Sequence, residues 1–191
     1  MEICNLDDYL LEPEICVDIH SVRDDEEVDT WQVIRTTNEL SLTKKMYSQS
    51  EIHELIASGK GDVIVAKTTD KSGEKRLISA IILKYGGDGS DIIDVVDIDQ
   101  FLMNCHARDY KLEKPMIQET VKLEKLMIQE TVKWLKKARP WIKRIRGHFT
   151  KTDKNKSLEK LYDDMGFIQV ADGDLKMYEI RIEDIVRRID S

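Results

Sequence analysis

Cysteine is scarce: three residues in 191 (Cys4, Cys16 and Cys105), an odd number with no paired spacing. That count speaks against a disulfide framework and for a reducing compartment. Positive charge is not in excess either. Lys and Arg total 30 against 37 Asp and Glu, a formal net charge of −7. A nucleic-acid partner or an anionic membrane surface is disfavoured, although a net figure leaves room for a local basic patch. No apolar run approaches the length of a membrane span, and the opening MEICNLDDYLL is too acidic for a signal peptide. His20 and His53 have no companions at ligand spacing, so no metal site is expected. These absences leave a cytoplasmic soluble domain.

What is present suits a packed α/β core. The apolar share is 41% and the charged share, mixed in sign, is 35%. The length fits one domain over residues 15–191 behind an N-terminal extension, residues 1–14. Ile15 to Val22 alternates as a strand does. Asp24 to Leu40 opens with acids and carries Val28, Trp31 and Ile34 at helical spacing. Ser48 and Glu51 form a capping box ahead of Ile52, Leu55 and Ile56, with Gly59 as the stop. Val63–Ala66 and Leu77–Leu83 read as strands joined by a turn at Gly73.

The stretch Ile92 to Lys111 then begins as a strand apolar on both faces and ends in a charged loop before a helix. Plain alternation puts Ile92, Val96, Ile98 and Leu102 on one face, and Ile93, Val95, Phe101 and Met103 on the other. Asp97 and Asp99 interrupt the second face, and a buried carboxylate there needs a partner or a function.

Residues 111–132 are a near-perfect tandem duplication, KLEKPMIQETV followed by KLEKLMIQETV. Eleven residues advance a helix by almost whole turns, with about 20° of drift, so both copies offer the same apolar stripe. The extra copy either lengthens the helix by roughly 16 Å or loops out. Pro115 favours a helix starting near Lys114, and Pro140 ends it. Ile142–Thr150 is a further strand. A helix follows, capped by Asp153 or Asn155, with Leu158, Leu161, Tyr162 and Met165 inward and Gly166 as the stop. Phe167–Val170 and Lys176–Ile182 close the chain as a hairpin, with a short amphipathic tail.

This order, with segments such as RTTNELSLTKKMYSQSEI (35–52), DIDQFLMNCHA (97–107), IRGHFTKTDKN (145–155) and LYDDMGF (161–167), resembles the GNAT acyltransferase fold. More narrowly, it resembles the GNAT-like C-terminal domain of FkbH-type proteins, which load a glyceryl unit onto an acyl carrier protein. The resemblance covers about residues 24–182 with one copy of the duplication removed. It implies a mixed, mostly antiparallel sheet with helices on both faces, carrying the duplication in its long helix. It also implies transfer of an acyl group from a pantetheine thioester, either acyl-CoA such as acetyl-CoA or carrier-bound phosphopantetheine, to an amine or thiol. The alternative is a catalytically degenerate module that docks a carrier protein or small ligand.

The resemblance also assigns residues. Backbone groups of Leu102, Met103 and Asn104 would hold the pantetheine amides, and Asn155 would contact the same arm. The family's glycine-rich diphosphate loop aligns with His106 to Lys111, which has no glycine and carries Asp109. His106, Arg108, Tyr110 and Lys111 are left as its donor-facing side chains, with Arg108 and Lys111 as compensating cations. Tyr162 would protonate the leaving thiolate. Asp99 is the candidate base, with His148 as a substitute, and Cys105 is a candidate nucleophile. Each has a structural alternative: Tyr162 on the apolar helix face, Asn155 as an N-cap, Asp99 as a paired acid, Cys105 as packing.

Overall fold

The computed structural model describes residues 2–3, 16–36, 40–69, 75–86, 94–103 and 116–189. Its centre is a sheet of nine strands among the described residues, in the order β1-β2-β4-β5-β6-β7-β9-β8, with β3 pairing to β6 off that path. The strands are β1 (Glu2–Ile3), β2 (Cys16–Ser21), β3 (Leu40–Ser41), β4 (Gly61–Thr69), β5 (Lys75–Tyr85), β6 (Val95–Met103), β7 (Arg144–Phe149), β8 (Ile168–Ala171) and β9 (Lys176–Arg181). Among the described residues all neighbouring strands are antiparallel except β6 and β7, which are parallel. Part of the N-terminal extension joins the sheet, since Glu2 and Ile3 pair with β2.

Among the described residues five α-helices accompany the sheet: α1 (Glu27–Thr36), α2 (Gln49–Ala57), α3 (Met116–Ala138), α4 (Leu161–Asp164) and α5 (Ile182–Ile189). The capping box at α2 forms as the sequence predicts: Ser48 Oγ accepts from the Glu51 amide, and Glu51 Oε2 accepts from the Ser48 amide. Gly59 follows with φ +67°, a left-handed conformation that glycine adopts freely. Asn155 is not the expected side-chain cap. The chain after β7 enters a 3₁₀ turn, Lys156–Leu158, before the single turn of α4. None of the helices among the described residues is long and apolar enough to cross a membrane.

Each face of the sheet buries its own apolar cluster. One face packs Val96, Ile98, Phe101 and Met103 of β6 against Met127, Ile128, Val132 and Leu135 of α3, Leu161 of α4 and Ile185 of α5. The other packs Leu102, with Val63 and Val65 of β4 and Ile82 of β5, against Ile34 of α1 and Ile52 and Leu55 of α2. The expected alternation along β6 fails at one point. Ile82 pairs with Gln100 and Leu83 with Ile98, so Asp99 is an extra residue, a β-bulge. Beyond it the two faces exchange: Phe101 and Met103 join Val96 and Ile98, and Leu102 passes to the opposite side. Ile92 and Ile93 lie outside the described residues.

The helix α3 is 23 residues, roughly 34 Å long. The second copy of the duplication faces the core, where Met127, Ile128 and Val132 are fully buried. Sliding the first copy into its place would bring each core site the residue eleven positions earlier. Leu135 would give way to Glu124, Trp134 to Leu123 and Leu126 to Pro115. A carboxylate in a leucine site and a proline inside a helix both oppose that register.

The docked copy still carries a liability. Glu124 is 1% exposed, and neither carboxylate oxygen has a hydrogen-bond partner. Burial alone pushes its carboxyl up to about 8. The unfolded chain ionises Glu124 at its ordinary 4.5, so folding stability falls as pH rises from about 4.5 to 8 and then levels. Glu124→Gln is therefore expected to be more stable than the parent at pH 7, by on the order of 3 kcal/mol. The difference should vanish near pH 4. Urea unfolding at both pH values checks this. A second test concerns Gly147 of β7, where an added Cβ would overlap the Tyr162 ring. Gly147→Ala is expected to lose about 2 kcal/mol or more in the same assay, because the buried ring has no room to retreat.

Candidate functional site

The parallel pairing of β6 and β7 runs from Val95/Arg144 to Ile98/Gly147 and stops at the Asp99 bulge. Beyond that point the two strands part, in the region where the sequence places a pantetheine slot. The wedge between them is occupied by the chain itself. Leu40 pairs with Met103 and Ser41 with Leu102, and the Leu42 amide donates to Phe101 O at 3.1 Å. On the far side the Thr150 amide, just past β7, donates to Leu42 O at 2.8 Å. Thr43 Oγ1 donates to Asp99 O, and Gln100 Nε2 to Lys45 O. Leu42 itself is buried in the larger cluster.

This insertion changes the expected roles of several residues. The backbone of Leu102 and Met103 on the β7 side is committed to β3 and is not open to a pantetheine amide. Asn155 is completely buried. Its Nδ2 donates to Ser41 O and Thr150 O, both at 2.9 Å, and its Oδ1 accepts from the Thr152 amide at 2.8 Å. The side chain locks the inserted segment to the end of β7, and neither of its N–H donors is left for a ligand. Asn104, Cys105, His106, Arg108, Tyr110 and Lys111 lie outside the described residues.

Tyr162 is 1% exposed, against Gly147 and between the rings of Phe167 and Tyr178 (centroids at 5.0 and 5.3 Å). Its hydroxyl lies against the His148 backbone without completing a hydrogen bond. Burial pushes its ionisation far above the ordinary phenol range. In this structure the phenol packs in the core, and its hydroxyl is enclosed without a hydrogen-bond partner.

The opposite face of the sheet carries the accessible polar groups. Asp99 accepts from Lys45 Nζ at 2.9 Å and from the Tyr47 hydroxyl, with Lys84 Nζ at 3.9 Å. Burial opposes its charge, but these partners outweigh it and hold the carboxyl below its usual range. A carboxylate stabilised in that sense is a poor base, which argues against the role expected for Asp99. Two residues earlier, Asp97 Oδ1 lies 3.1 Å from His148 Nε2 across the β6–β7 pair, with side chains 9% and 12% exposed. Beside them Arg144 and Arg146 share Glu179 at 3.2 and 2.9 Å.

At the mouth of the filled wedge, Ser41, Thr43, Lys44, Lys45, Met46 and Thr152 line a small cleft of about 260 Å³. Its lining is about half polar and half apolar, and the polar half includes the hydroxyls of Ser41, Thr43 and Thr152 and two lysines, groups that can bind an anion, although Lys45 already donates to Asp99. Among the described residues no group of three or more His, Cys, Asp or Glu is assembled as a metal site. Sequence reasoning missed the cleft and the inserted strand. The stretch ELSLTKKM has no period that separates strand from loop.

No family model matches the chain, and no curated protein does. Solved structures do. The chain is similar to a spermidine N-acetyltransferase from Vibrio cholerae in complex with CoA and spermine, at 14% identity and TM-score 0.56, covering 89% of this chain and 98% of that one. The aminoglycoside acetyltransferase AAC(6')-Ib in complex with coenzyme A matches at 16% identity and TM-score 0.55, over 90% and 98% of the two chains. An acetyltransferase of the GNAT family from Streptococcus pneumoniae matches at 12% identity and TM-score 0.56, over 86% and 99%. At these identities the likeness is one of architecture: strand order, the parallel β6–β7 pair and helix placement together give this chain the GNAT fold.

Proposed function

We propose that this chain is a docking module on the GNAT fold, taking an anionic ligand of the phosphopantetheine class, free or on a carrier protein, without passing an acyl group through the inter-strand wedge. The observation that carries this reading is the occupation of the wedge by β3 and Leu42. A pantetheine arm would have to displace two ladder pairs, the Leu42 and Thr150 hydrogen bonds and a buried leucine side chain. Each such bond contributes about 1 kcal/mol net, and the leucine about 2 kcal/mol. The Ser41–Thr152 cleft supplies the anion-binding chemistry, and the resemblance of residues 24–182 to FkbH-type domains supports a carrier-borne ligand in a cytoplasmic, biosynthetic setting.

A second reading is acyl transfer from a pantetheine thioester, acetyl-CoA or another acyl-CoA included, to an amine or thiol. The Asp99 bulge and the parting of β6 and β7 favour it, as does the presence of CoA in two of the similar structures. It requires β3 to leave the wedge. Calorimetric titration separates the two. Binding heat with free phosphopantetheine or a phosphopantetheinylated acyl carrier protein, and no acetylation of amines when acetyl-CoA is supplied, is the expected result. Saturable acetyl-CoA binding with turnover would overturn the docking reading in favour of the transferase.

A further inference from the structure

Near the parting of β6 and β7, Asp97 and His148 form a His–carboxylate contact to which the docking reading gives no role. The pair is fixed from both sides. Asp97 lies opposite Lys84 on β5 and Arg146 on β7, while His148 pairs with Met177 of β9. Asp97 accepts the Nε2–H of the imidazole, which leaves Nδ1 as the basic nitrogen. Nδ1 makes no hydrogen bond among the described residues and is not among the enclosed, unpartnered atoms. Lys84 and Arg146, the register partners of Asp97 on the neighbouring strands, are themselves paired with Asp99 and Glu179.

The position suits a ligand held by its anionic end. Thr152, on the wall of the anion cleft, follows His148 by four residues, at most about 14 Å of extended chain. Lys45, on the same wall, is joined through Asp99 to the strand that carries Asp97. A molecule with a phosphate in the cleft and a long flexible arm along this face would bring its far end beside the imidazole.

We propose that His148, positioned by Asp97, is an acid–base site that takes the proton from a thiol at the end of such an arm. The S–H bond breaks, its electron pair stays on sulfur as a thiolate, and the proton moves to Nδ1. The resulting imidazolium is stabilised by the Asp97 carboxylate through Nε2–H. Asp97 is a positioning residue that never touches the thiol. The inference rests on the docking reading and turns a passive mount into a thiol-activating one.

The test uses the full chain saturated with a phosphopantetheinylated acyl carrier protein. Thiolate is read by its ultraviolet absorbance between pH 6 and 9, against a blank with the pantetheine thiol methylated. A thiol of ordinary pKa near 8.5 is only about 3% thiolate at pH 7, and the bound thiol is expected to show roughly tenfold more. His148→Gln at saturating ligand should return the titration to that of the free carrier. Asp97→Asn should move its midpoint part of the way. Binding heat with an unshifted thiol titration, or a shift that survives in H148Q, overturns the inference while leaving the docking reading in place. Absence of binding heat removes both.

Discussion

The structure depends on how one open edge is satisfied. Two parallel strands that part midway expose backbone N–H and C=O groups along both inner edges, and such groups cannot remain unpaired in a protein interior. A fold of this kind therefore needs something between β6 and β7: a ligand, water or more chain. Here the chain provides it. Leu40 to Leu42 bonds β6 on one side and Thr150 on the other, and Asn155 reaches from beneath to hold Ser41 and Thr150 together. The burial of Leu42 makes this segment part of the core.

A single extra residue sets up that edge. By bulging at Asp99, β6 turns its remaining residues over, so that Phe101 and Met103 reach α3 while Leu102 turns to the side of α1 and α2. The bulge also ends the β7 ladder. It presents Asp99 to Lys45, Tyr47 and Lys84, and these contacts tie the segment after β3 to the same point. The result is a division of labour between faces. Tyr162 and Glu124 are sealed on the side of α3, α4 and α5 without hydrogen-bond partners, and the buried Asp97, paired with the partly exposed His148, lies on the other.

Much of this frame was readable from residues. The S-x-x-E box, Gly59, Gly166 and the turn signals give the ends of α2 and α4, and the places of β2, β4 to β7, β8 and β9 along the chain follow from apolar runs of the right length. The bulge was not readable. A period-2 count assumes unbroken alternation, and nothing in VVDIDQFLM distinguishes an extra Asp99 from a regular one. Strand β3 was hidden for a different reason: a two-residue pairing is decided by the edge it meets and carries no periodicity of its own. Tyr162 and Asn155 show a third limit. A helix face turned to the core and one turned to a ligand carry the same spacing, and only packing against Gly147 and the three hydrogen bonds of Asn155 separate the cases.

The central claim is that the inserted segment closes the wedge as permanent structure. Amide hydrogen exchange at Leu42 and Thr150, read with and without excess acetyl-CoA, tests it most directly. Strong protection at both amides, equal to that of the β5–β6 ladder and unchanged by acetyl-CoA, is the predicted result. Rapid exchange at these amides, or protection that is lost when acetyl-CoA is added, would contradict it.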